Sequence, residues 1–369
     1  MSKIPELLTT LSGQKVTDAD TWEQFRRDEI LSLFCEYVYG VRDIERPENL
    51  YFTLKEERVE YGMRVKELEA GFDEFSFPFK LYLPLHQTGP IPAFVYVMHE
   101  NLENHFVFHE DGNMEAAELV SFLPLADITS RGFAVAVMPT RSIYRDWEAY
   151  AAFKQGVFAA VKTPKGRQKN SWATISAWAW GVSRVVDYLE TDGDIDSSKI
   201  ASIGHSRSGK TALWAAATDP RICLAVPNNT GCMGAAILRG KRGEHAKEIN
   251  ISDWFCENFH AYNDREEYLP VDQHMLLALM APRYVYITGS VEDEWADPDA
   301  EYLAAKLATE AFELYGVKGL VAPAEGPELE AVYQEGHIAF HVKRGDHSQT
   351  QFDWEHVMDY FEKICNGQL

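Results

Sequence analysis

The sequence has few of the features that mark disulfide-rich, membrane or nucleic-acid-binding proteins. Five scattered cysteines among 369 residues include no Cys-x-x-Cys pair, so we expect free thiols rather than a disulfide framework. No stretch of about 18 apolar residues is present, so no transmembrane helix is predicted. Basic residues number 35 against 57 acidic ones, a net charge of −22 that would repel phosphate backbones and anionic lipid. Neither a nucleic acid nor a membrane is an expected partner.

Motifs that hold metals or dinucleotides are also missing. The chain contains neither His-Glu-x-x-His nor Gly-x-Gly-x-x-Gly. His337 and His341 share one face of a predicted strand, but a zinc site would need further ligands. We therefore expect no metal and no cofactor.

The apolar content is sufficient for one large domain. Hydrophobic residues make up 46% of the sequence, and no internal repeat or Gly/Pro-rich linker divides it. We expect an N-terminal extension, residues 1–60, packed on a main domain formed by residues 61–369. The N-terminus lacks the apolar core of a signal peptide, which predicts a cytoplasmic protein, or a secreted one if the sequence has lost its leader.

The extension carries an amphipathic helical pattern within residues 14–40. Trp22, Phe25 and Phe34 recur there at helical spacing. In solvent these side chains would form a large apolar patch, so we expect them to pack on the main domain.

After the extension, strand patterns alternate with helical ones. The run from Ala93 to Met98 is apolar at every position, as in a strand buried on both faces of a sheet. Residues 52–85 instead alternate in polarity, which predicts antiparallel strands. Further apolar runs lie at 133–138, 200–203, 223–226, 284–288 and 338–342, and helical patterns at 172–189, 210–217, 300–314 and 354–364. This order predicts an α/β fold of three layers, a mostly parallel central sheet with helices on both faces, preceded by a helical and antiparallel extension.

The densest chemical signal is Gly-His-Ser-Arg-Ser at residues 204–208, between a predicted strand and a predicted helix. A strand, a sharp turn of small residues and a helix form the context in which an α/β-hydrolase presents its nucleophilic serine. Ser208 stands where the usual motif has glycine, and serine is small enough for that place. A serine at an ordinary helix N-cap is the alternative, but the flanking strand and helix favour Ser206 as a nucleophile.

The acid and the histidine of an α/β-hydrolase follow the serine in that order along the chain. His347 lies in the loop after the last predicted strand and is the predicted general base. The acid should follow the strand at residues 284–288, where spacing does not choose between four carboxylates: Glu292, Asp293, Glu294 and Asp297. A solvated acidic loop is the alternative explanation of this cluster.

Stabilisation of an oxyanion is expected from two segments of the chain. The N–H group of Arg207, directly after the nucleophile, is predicted to be one donor. The second is expected from the loop at residues 99–105, in which the sequence does not single out a group.

Many ordered motifs of the chain are similar to those of one enzyme family. They span residues 90–360 and include Gly-His-Ser-Arg-Ser-Gly-Lys at 204–210, Asn-Asn-Thr-Gly-Cys at 228–232, Arg-Gly-Glu at 242–244, Asp-Glu-Trp-Ala-Asp-Pro at 293–298 and Gly-Asp-His at 345–347. With these motifs the chain resembles the glucuronoyl esterases, carbohydrate esterase family 15, and their bacterial branch in particular.

This resemblance implies a serine esterase that cleaves esters between 4-O-methyl-glucuronic acid on xylan and an alcohol. By position in the family's motifs, it implies that Ser206 is the nucleophile and His347 the base. Arg207 is implied to help stabilise the oxyanion, in the first step of an acyl-enzyme mechanism.

The resemblance also implies which residues hold the sugar ring: Lys210, Glu244 and Trp295. Lys210 follows Arg207 by three residues, so both side chains can share one helix face. Trp295 offers a flat apolar surface to the sugar, and Glu244 can accept hydrogen bonds from hydroxyl groups.

The choice among the four carboxylates rests on the same resemblance. Many members carry the acid as a glutamate soon after the strand that follows the nucleophile helix, where this chain has Asn229. Other bacterial members use an aspartate two residues before the sugar-stacking tryptophan, and Asp293 stands there relative to Trp295. We therefore expect a Ser-His-Asp triad with Asp293 as its acid.

Two other functions share much of this pattern. An acetyl esterase of xylan-derived oligosaccharides would keep the triad but would not need Lys210 and Glu244 to bind a uronate. A catalytically inactive carbohydrate-binding relative is the other, against which the intact pair Ser206 and His347 argues. In each case the expected partner is a small-molecule or oligosaccharide ligand, and the oligomeric state is left open.

Overall fold

The computed structural model describes residues 4–99, 107–108, 114–115, 122–146, 153–161, 163, 166–250 and 253–369. Its strands are β1 (Tyr51–Glu60), β2 (Met63–Phe72), β3 (Phe75–Pro84), β4 (Ile91–Met98), β5 (Val107–Phe108), β6 (Met114–Glu115), β7 (Ala134–Pro139), β8 (Ile195–His205), β9 (Ile222–Asn228), β10 (Tyr284–Ser290), β11 (Val332–Tyr333) and β12 (Ile338–Lys343). Strands β5 and β6 pair with each other, and the other ten form one sheet in the order β1-β2-β3-β7-β4-β8-β9-β10-β12-β11.

The helices fall between the strands, as the alternating pattern predicts. They are α1 (Ala19–Thr21), α2 (Arg27–Phe34), α3 (Leu125–Ser130), α4 (Thr140–Ile143), α5 (Gly156–Ala160), α6 (Thr174–Leu189), α7 (Arg207–Thr218), α8 (Ala246–Ile249), α9 (Gln273–Ala278), α10 (Pro298–Glu313) and α11 (Gln351–Cys365). Two π-helical segments (Trp22–Arg26 and Cys35–Tyr39) and two 3-10 segments (Glu257–Tyr262 and Glu266–Tyr268) accompany them.

The sheet is covered on both faces. One apolar core joins the sheet to α2, α6, α7, α9 and α10. The second lies on the opposite face, where α3 and α11 pack. Alternate residues of β4 enter the two cores, Val95 the first and Phe94 the second, as expected for a strand buried on both faces. The predicted three-layer α/β-hydrolase architecture is confirmed.

The register of the parallel strands determines where the loops meet. Strands β7, β4, β8, β9, β10 and β12 run parallel, while β1–β3 and β11 are antiparallel additions. His205, Asn228, Thr288 and His341 lie in one row across β8, β9, β10 and β12. Since parallel strands end at the same edge, the four loops that follow these residues converge there.

The N-terminal helical pattern is confirmed, with one error in its apolar face. Trp22 and Phe34 are fully buried, but Phe25, which was expected to pack with them, is 52% exposed. A π turn holds more residues than an α turn, so the position three after Trp22 rotates toward solvent. Arg26 takes the inward position instead, and its Nε donates to the carbonyl oxygen of Leu7 at 2.8 Å.

The first sixty residues contact the rest of the chain at several points. The Tyr39 ring stacks on Trp214 with centroids 4.1 Å apart, and its hydroxyl donates to the Met233 carbonyl oxygen at 2.8 Å. The turn after Glu60 joins β1 to β2, so the boundary expected at that residue lies inside a hairpin of the central sheet.

Two further observations concern the whole of the described chain. Within those ranges, no helix combines the length and the apolar character that crossing a membrane requires. The five cysteines are free, with Cys232 and Cys256 buried.

Replacing Trp22 with alanine tests the packing of the N-terminal helix. We expect the free energy of unfolding to fall by about 3–5 kcal/mol, because a fully buried indole leaves a cavity. Phe25→Ala, a few residues away on the exposed face, is the matched control and should cost less than about 0.5 kcal/mol. Urea titration of both variants measures the difference, and equal stabilities would contradict the packing.

Candidate active site

Ser206 occupies a strained turn between β8 and α7. Its φ of 56° and ψ of −126° lie outside the regions that most residues adopt. A side chain at Gly204 would place its Cβ 2.5 Å from the Ser208 carbonyl carbon, so only glycine allows strand and helix to approach this closely. The Ser206 N–H donates to the Asn228 carbonyl oxygen at 2.9 Å, which ties the turn to the end of β9. This geometry is typical of a nucleophile elbow.

His347 and Asp293 form the predicted base–acid contact. The Nδ1 of His347 lies 2.6 Å from Oδ2 of Asp293. Because an ionised carboxylate only accepts hydrogen bonds, Nδ1 carries the proton and Nε2 is left with its lone pair. The Asp293 side chain is buried, whereas that of His347 is 43% exposed. The structure thus distinguishes Asp293 from its three neighbours.

The other three carboxylates lie elsewhere. Glu292 and Glu294 are exposed. Asp297 caps α10 by accepting from the Ala300 N–H, and its Oδ2 also accepts from the Arg242 N–H at 2.6 Å. Asp297 therefore has a structural explanation of its own.

Asp293 is held ionised by several donors. Asn229 Nδ2 donates to Oδ2 at 2.7 Å, and the Ala296 N–H donates to Oδ1 at 3.1 Å. Burial raises the pKa of Asp293, but the hydrogen bonds from His347 and Asn229 outweigh it and hold the pKa below its ordinary value. Asn229 follows β9 and supports an acid that follows the neighbouring strand, β10.

His205 is a neighbour of the base that the sequence analysis did not identify. Its ring centroid lies 4.3 Å from that of His347. Its Nδ1 lies 2.6 Å from Oδ1 of Asn228, whose amide Nδ2 donates to Thr288, so Nδ1 of His205 is the donor. Burial and the nearby His347 hold the pKa of His205 well below its ordinary value. A neutral ring at this place does not repel an imidazolium forming on His347.

The predicted site residues meet at a cavity of about 370 Å³. Its walls include six of the seven: Ser206, Arg207, Lys210, Glu244, Trp295 and His347. The seventh, Asp293, is bonded to His347 and buried. The volume is suited to a small ligand such as one sugar ring.

Lys210, Glu244 and Trp295 form a connected wall of this cavity. Lys210 Nζ lies 3.2 Å from Oε2 of Glu244, and Trp295 Nε1 donates to Oε1 of the same carboxylate at 3.3 Å. Lys210 is buried, whereas Trp295 is 53% exposed and presents its ring to solvent. The wall therefore combines an internally neutralised ion pair with an accessible aromatic surface.

Arg207 and Lys210 do share a helix face, and Trp254 packs against both. The Arg207 guanidinium carbon lies 4.8 Å from the centroid of the Trp254 ring, and Lys210 Nζ lies 5.5 Å from it. Asp146 accepts hydrogen bonds from Arg207 Nη1 at 2.6 Å and from Trp254 Nε1 at 3.3 Å. Trp254 and Asp146 were not predicted, since nothing in their local sequence indicates a contact with the elbow.

The expected second oxyanion donor lies largely outside the described residues. Of the loop at 99–105, the structure describes His99, whose Nδ1 lies 3.3 Å from the Ser208 hydroxyl oxygen. That donor stays a prediction.

His337 and His341 each bond a different group of the protein. His337 Nδ1 bonds the Pro282 carbonyl oxygen, and His341 lies between Tyr286 and Asp353. Over the described ranges, no group of three or more histidine, cysteine or acidic side chains is arranged to hold a metal ion.

Replacing Asn229 with alanine removes one donor to Asp293. Burial then raises the pKa of Asp293 against fewer opposing bonds, and the acid is held less firmly beside His347. We expect kcat to fall about tenfold, and activity to be lost at higher pH on acidification. Asn170→Ala, which removes a bond to Glu36 outside the cavity, is the control. Superimposable pH–rate profiles of Asn229→Ala and the unchanged protein would contradict this role.

Comparison with known proteins places this geometry in a family. Residues 134–316 match the family description "Glucuronyl esterase, fungi". The chain is 34% identical to carbohydrate esterase MZ0003 from an unknown prokaryotic organism, over 99% of this chain and 90% of that protein. A glucuronoyl esterase structure from Solibacter usitatus superposes with a TM-score of 0.88 at 32% identity, covering 98% of both chains. A promiscuous CE15 esterase from the marine bacterial metagenome gives a TM-score of 0.85 at 34% identity, covering 98% of this chain and 97% of that one. The chain therefore belongs to carbohydrate esterase family 15, the glucuronoyl esterases, and is a carboxylic ester hydrolase.

Proposed function

We propose that this esterase cleaves esters of 4-O-methyl-glucuronic acid through an acyl-enzyme formed on Ser206. The observation that carries the proposal is the cavity in which the strained Ser206, the His347–Asp293 pair and the Lys210–Glu244 wall come together. The names of the relatives, glucuronoyl esterases among them, support the same substrate class.

The chemistry follows from the proton positions. Nε2 of His347 takes the proton of Ser206 as its Oγ attacks the ester carbonyl, and Asp293 stabilises the imidazolium that forms. The N–H of Arg207 donates to the oxyanion. The imidazolium then gives its proton to the departing alcohol, and the C–O bond to that alcohol breaks. A water molecule, activated by the same histidine, releases the acid from Ser206.

Recognition of the sugar is assigned to the connected wall. Trp295 is exposed and flat, so a pyranose ring can pack on it, while Glu244 can accept hydrogen bonds from sugar hydroxyl groups. Lys210 is already neutralised by Glu244, which favours a substrate whose carboxyl group is uncharged because it is esterified.

Hydrolysis of acetyl esters is the second candidate. A marine relative described as a promiscuous esterase favours it. An acetyl group fills little of a 370 Å³ cavity and makes no use of the Lys210–Glu244 wall. The inactive carbohydrate-binding alternative is disfavoured by the bonded His347–Asp293 pair beside the strained serine.

Comparing kcat/KM on benzyl glucuronate and on p-nitrophenyl acetate separates the candidates. We expect a strong preference for the glucuronate ester, and Ser206→Ala should lower kcat on both by about 10⁴-fold or more. Retained hydrolysis by Ser206→Ala would contradict the triad, and a preference for acetate would contradict the uronate assignment.

Trp295→Ala tests the sugar-binding wall without disturbing the triad. We expect KM for benzyl glucuronate to rise about tenfold with kcat nearly unchanged, because the ring binds ground state and transition state alike. The acetate reaction should be unaffected. Tyr268→Ala, a second exposed aromatic, is the matched control. An unchanged KM in Trp295→Ala would remove Trp295 from the site.

A further inference from the structure

Lys343 is a buried cation behind the catalytic loops that the proposed mechanism does not use. It is the last residue of β12 and is 3% exposed. An ammonium group has three N–H donors. Each has an acceptor here: Ser290 Oγ at 2.7 Å, the Ser348 carbonyl oxygen at 2.7 Å, and Asp353 Oδ2 at 3.1 Å.

One of these bonds acts on the base. Lys343 ends β12 and Ser348 directly follows His347, so the bond between them closes a turn that contains the base. The loop is also bonded to the acid-bearing loop, since the Lys343 carbonyl oxygen accepts from the Val291 N–H at 2.8 Å.

A second bond acts on the acid through two side chains. An ammonium group only donates, so Ser290 Oγ accepts a hydrogen bond from Lys343 and donates its own hydroxyl hydrogen to Oδ1 of Asn229, 3.4 Å away. This places the amide oxygen of Asn229 toward Ser290 and its Nδ2 toward Asp293. With the amide reversed, an oxygen would face the Asp293 carboxylate and repel it.

The third bond neutralises the charge of the ammonium. Asp353 is buried, and its second oxygen bonds His341 Nε2 at 2.9 Å, while His341 Nδ1 bonds the Tyr286 hydroxyl at 2.9 Å. Burial raises the pKa of Asp353, but the bonds from His341 and the charge of Lys343 hold it below its ordinary value. Because the pair is neutral as a whole, Lys343 acts on the site through the direction of its bonds.

We propose that Lys343 is a positioning residue that fixes the acid and the base relative to each other. Its one ammonium group holds both the His347 loop and, through Ser290, the Asn229 amide that supports Asp293. The inference rests on the proposed function, because it concerns the same Ser206–His347–Asp293 triad. Lys343 does not touch the substrate cavity, so its effect is expected in the chemical step and not in binding.

Lys343→Met is the first variant, because methionine keeps most of the length of the side chain and removes its donors. We expect kcat on the preferred ester to fall by roughly 10- to 100-fold, with KM changed less than about twofold. Lys66→Met is the matched control: Lys66 is a buried lysine bonded to Asp192 and Asp194, far along the chain from the site. It should lose stability to a similar degree and keep its kcat.

A second variant guards against misfolding of the first. Ser290→Ala leaves the bonds of Lys343 to Asp353 and Ser348 intact and removes the hydroxyl that links the ammonium to Asn229, so kcat should fall several-fold in a folded protein. Combined with Asn229→Ala, its effect should be less than the product of the single effects, since both act on one bond to Asp293.

The proton between His347 Nδ1 and Asp293 gives a readout that mere destabilisation would not move. We expect its downfield NMR signal to shift or broaden in Lys343→Met and to stay in place in Lys66→Met. Unchanged kcat and an unchanged signal in both Lys343→Met and Ser290→Ala would overturn the proposal. If Ser206→Ala is inactive while these variants match the unchanged protein, the triad stands and the role of Lys343 alone is refuted; activity in Ser206→Ala refutes the triad first.

Discussion

The register of four parallel strands is the constraint on which the site depends. His205, Asn228, Thr288 and His341 form one row across the sheet, so the residues that follow them are delivered to the same edge. A backbone outlier such as that of Ser206 costs about 1–3 kcal/mol and persists only where its surroundings hold it. Here they do, because the strands are buried on both faces and each loop is bonded to the next.

Much of the fold could be predicted because burial on both faces leaves a strand few polar positions. The runs that became β4, β7 and β10 are mostly apolar for that reason, and apolar residues recur at helical spacing in the segments between them. Ser206 and His347 were predictable for a different reason. The elbow requires small residues in a short motif, and the fold orders its triad along the chain.

The acid and the residues that support it could not be predicted from the local sequence pattern. Four carboxylates within six residues are equivalent in spacing, and Asp293 differs from the other three by its contact with His347 and by the donors that reach it from Asn229 and Ala296. The contacts of His205 with His347 and of Trp254 with Arg207 join segments far apart in sequence. Phe25 was misplaced because the π turn at Trp22–Arg26 changes the helical period on which its assignment rested.

The 2.7 Å bond between Asn229 and Asp293 has a consequence for how such a site can change over generations. The two side chains follow adjacent strands and meet at Oδ2 of Asp293, the oxygen that bonds His347, so a carboxylate from either strand would lie close to the histidine. The serine and the histidine have no such alternative position, since each depends on the turn that carries it. The acid can therefore migrate from one strand to its neighbour through successive substitutions while the serine, the histidine and the reaction stay where they are.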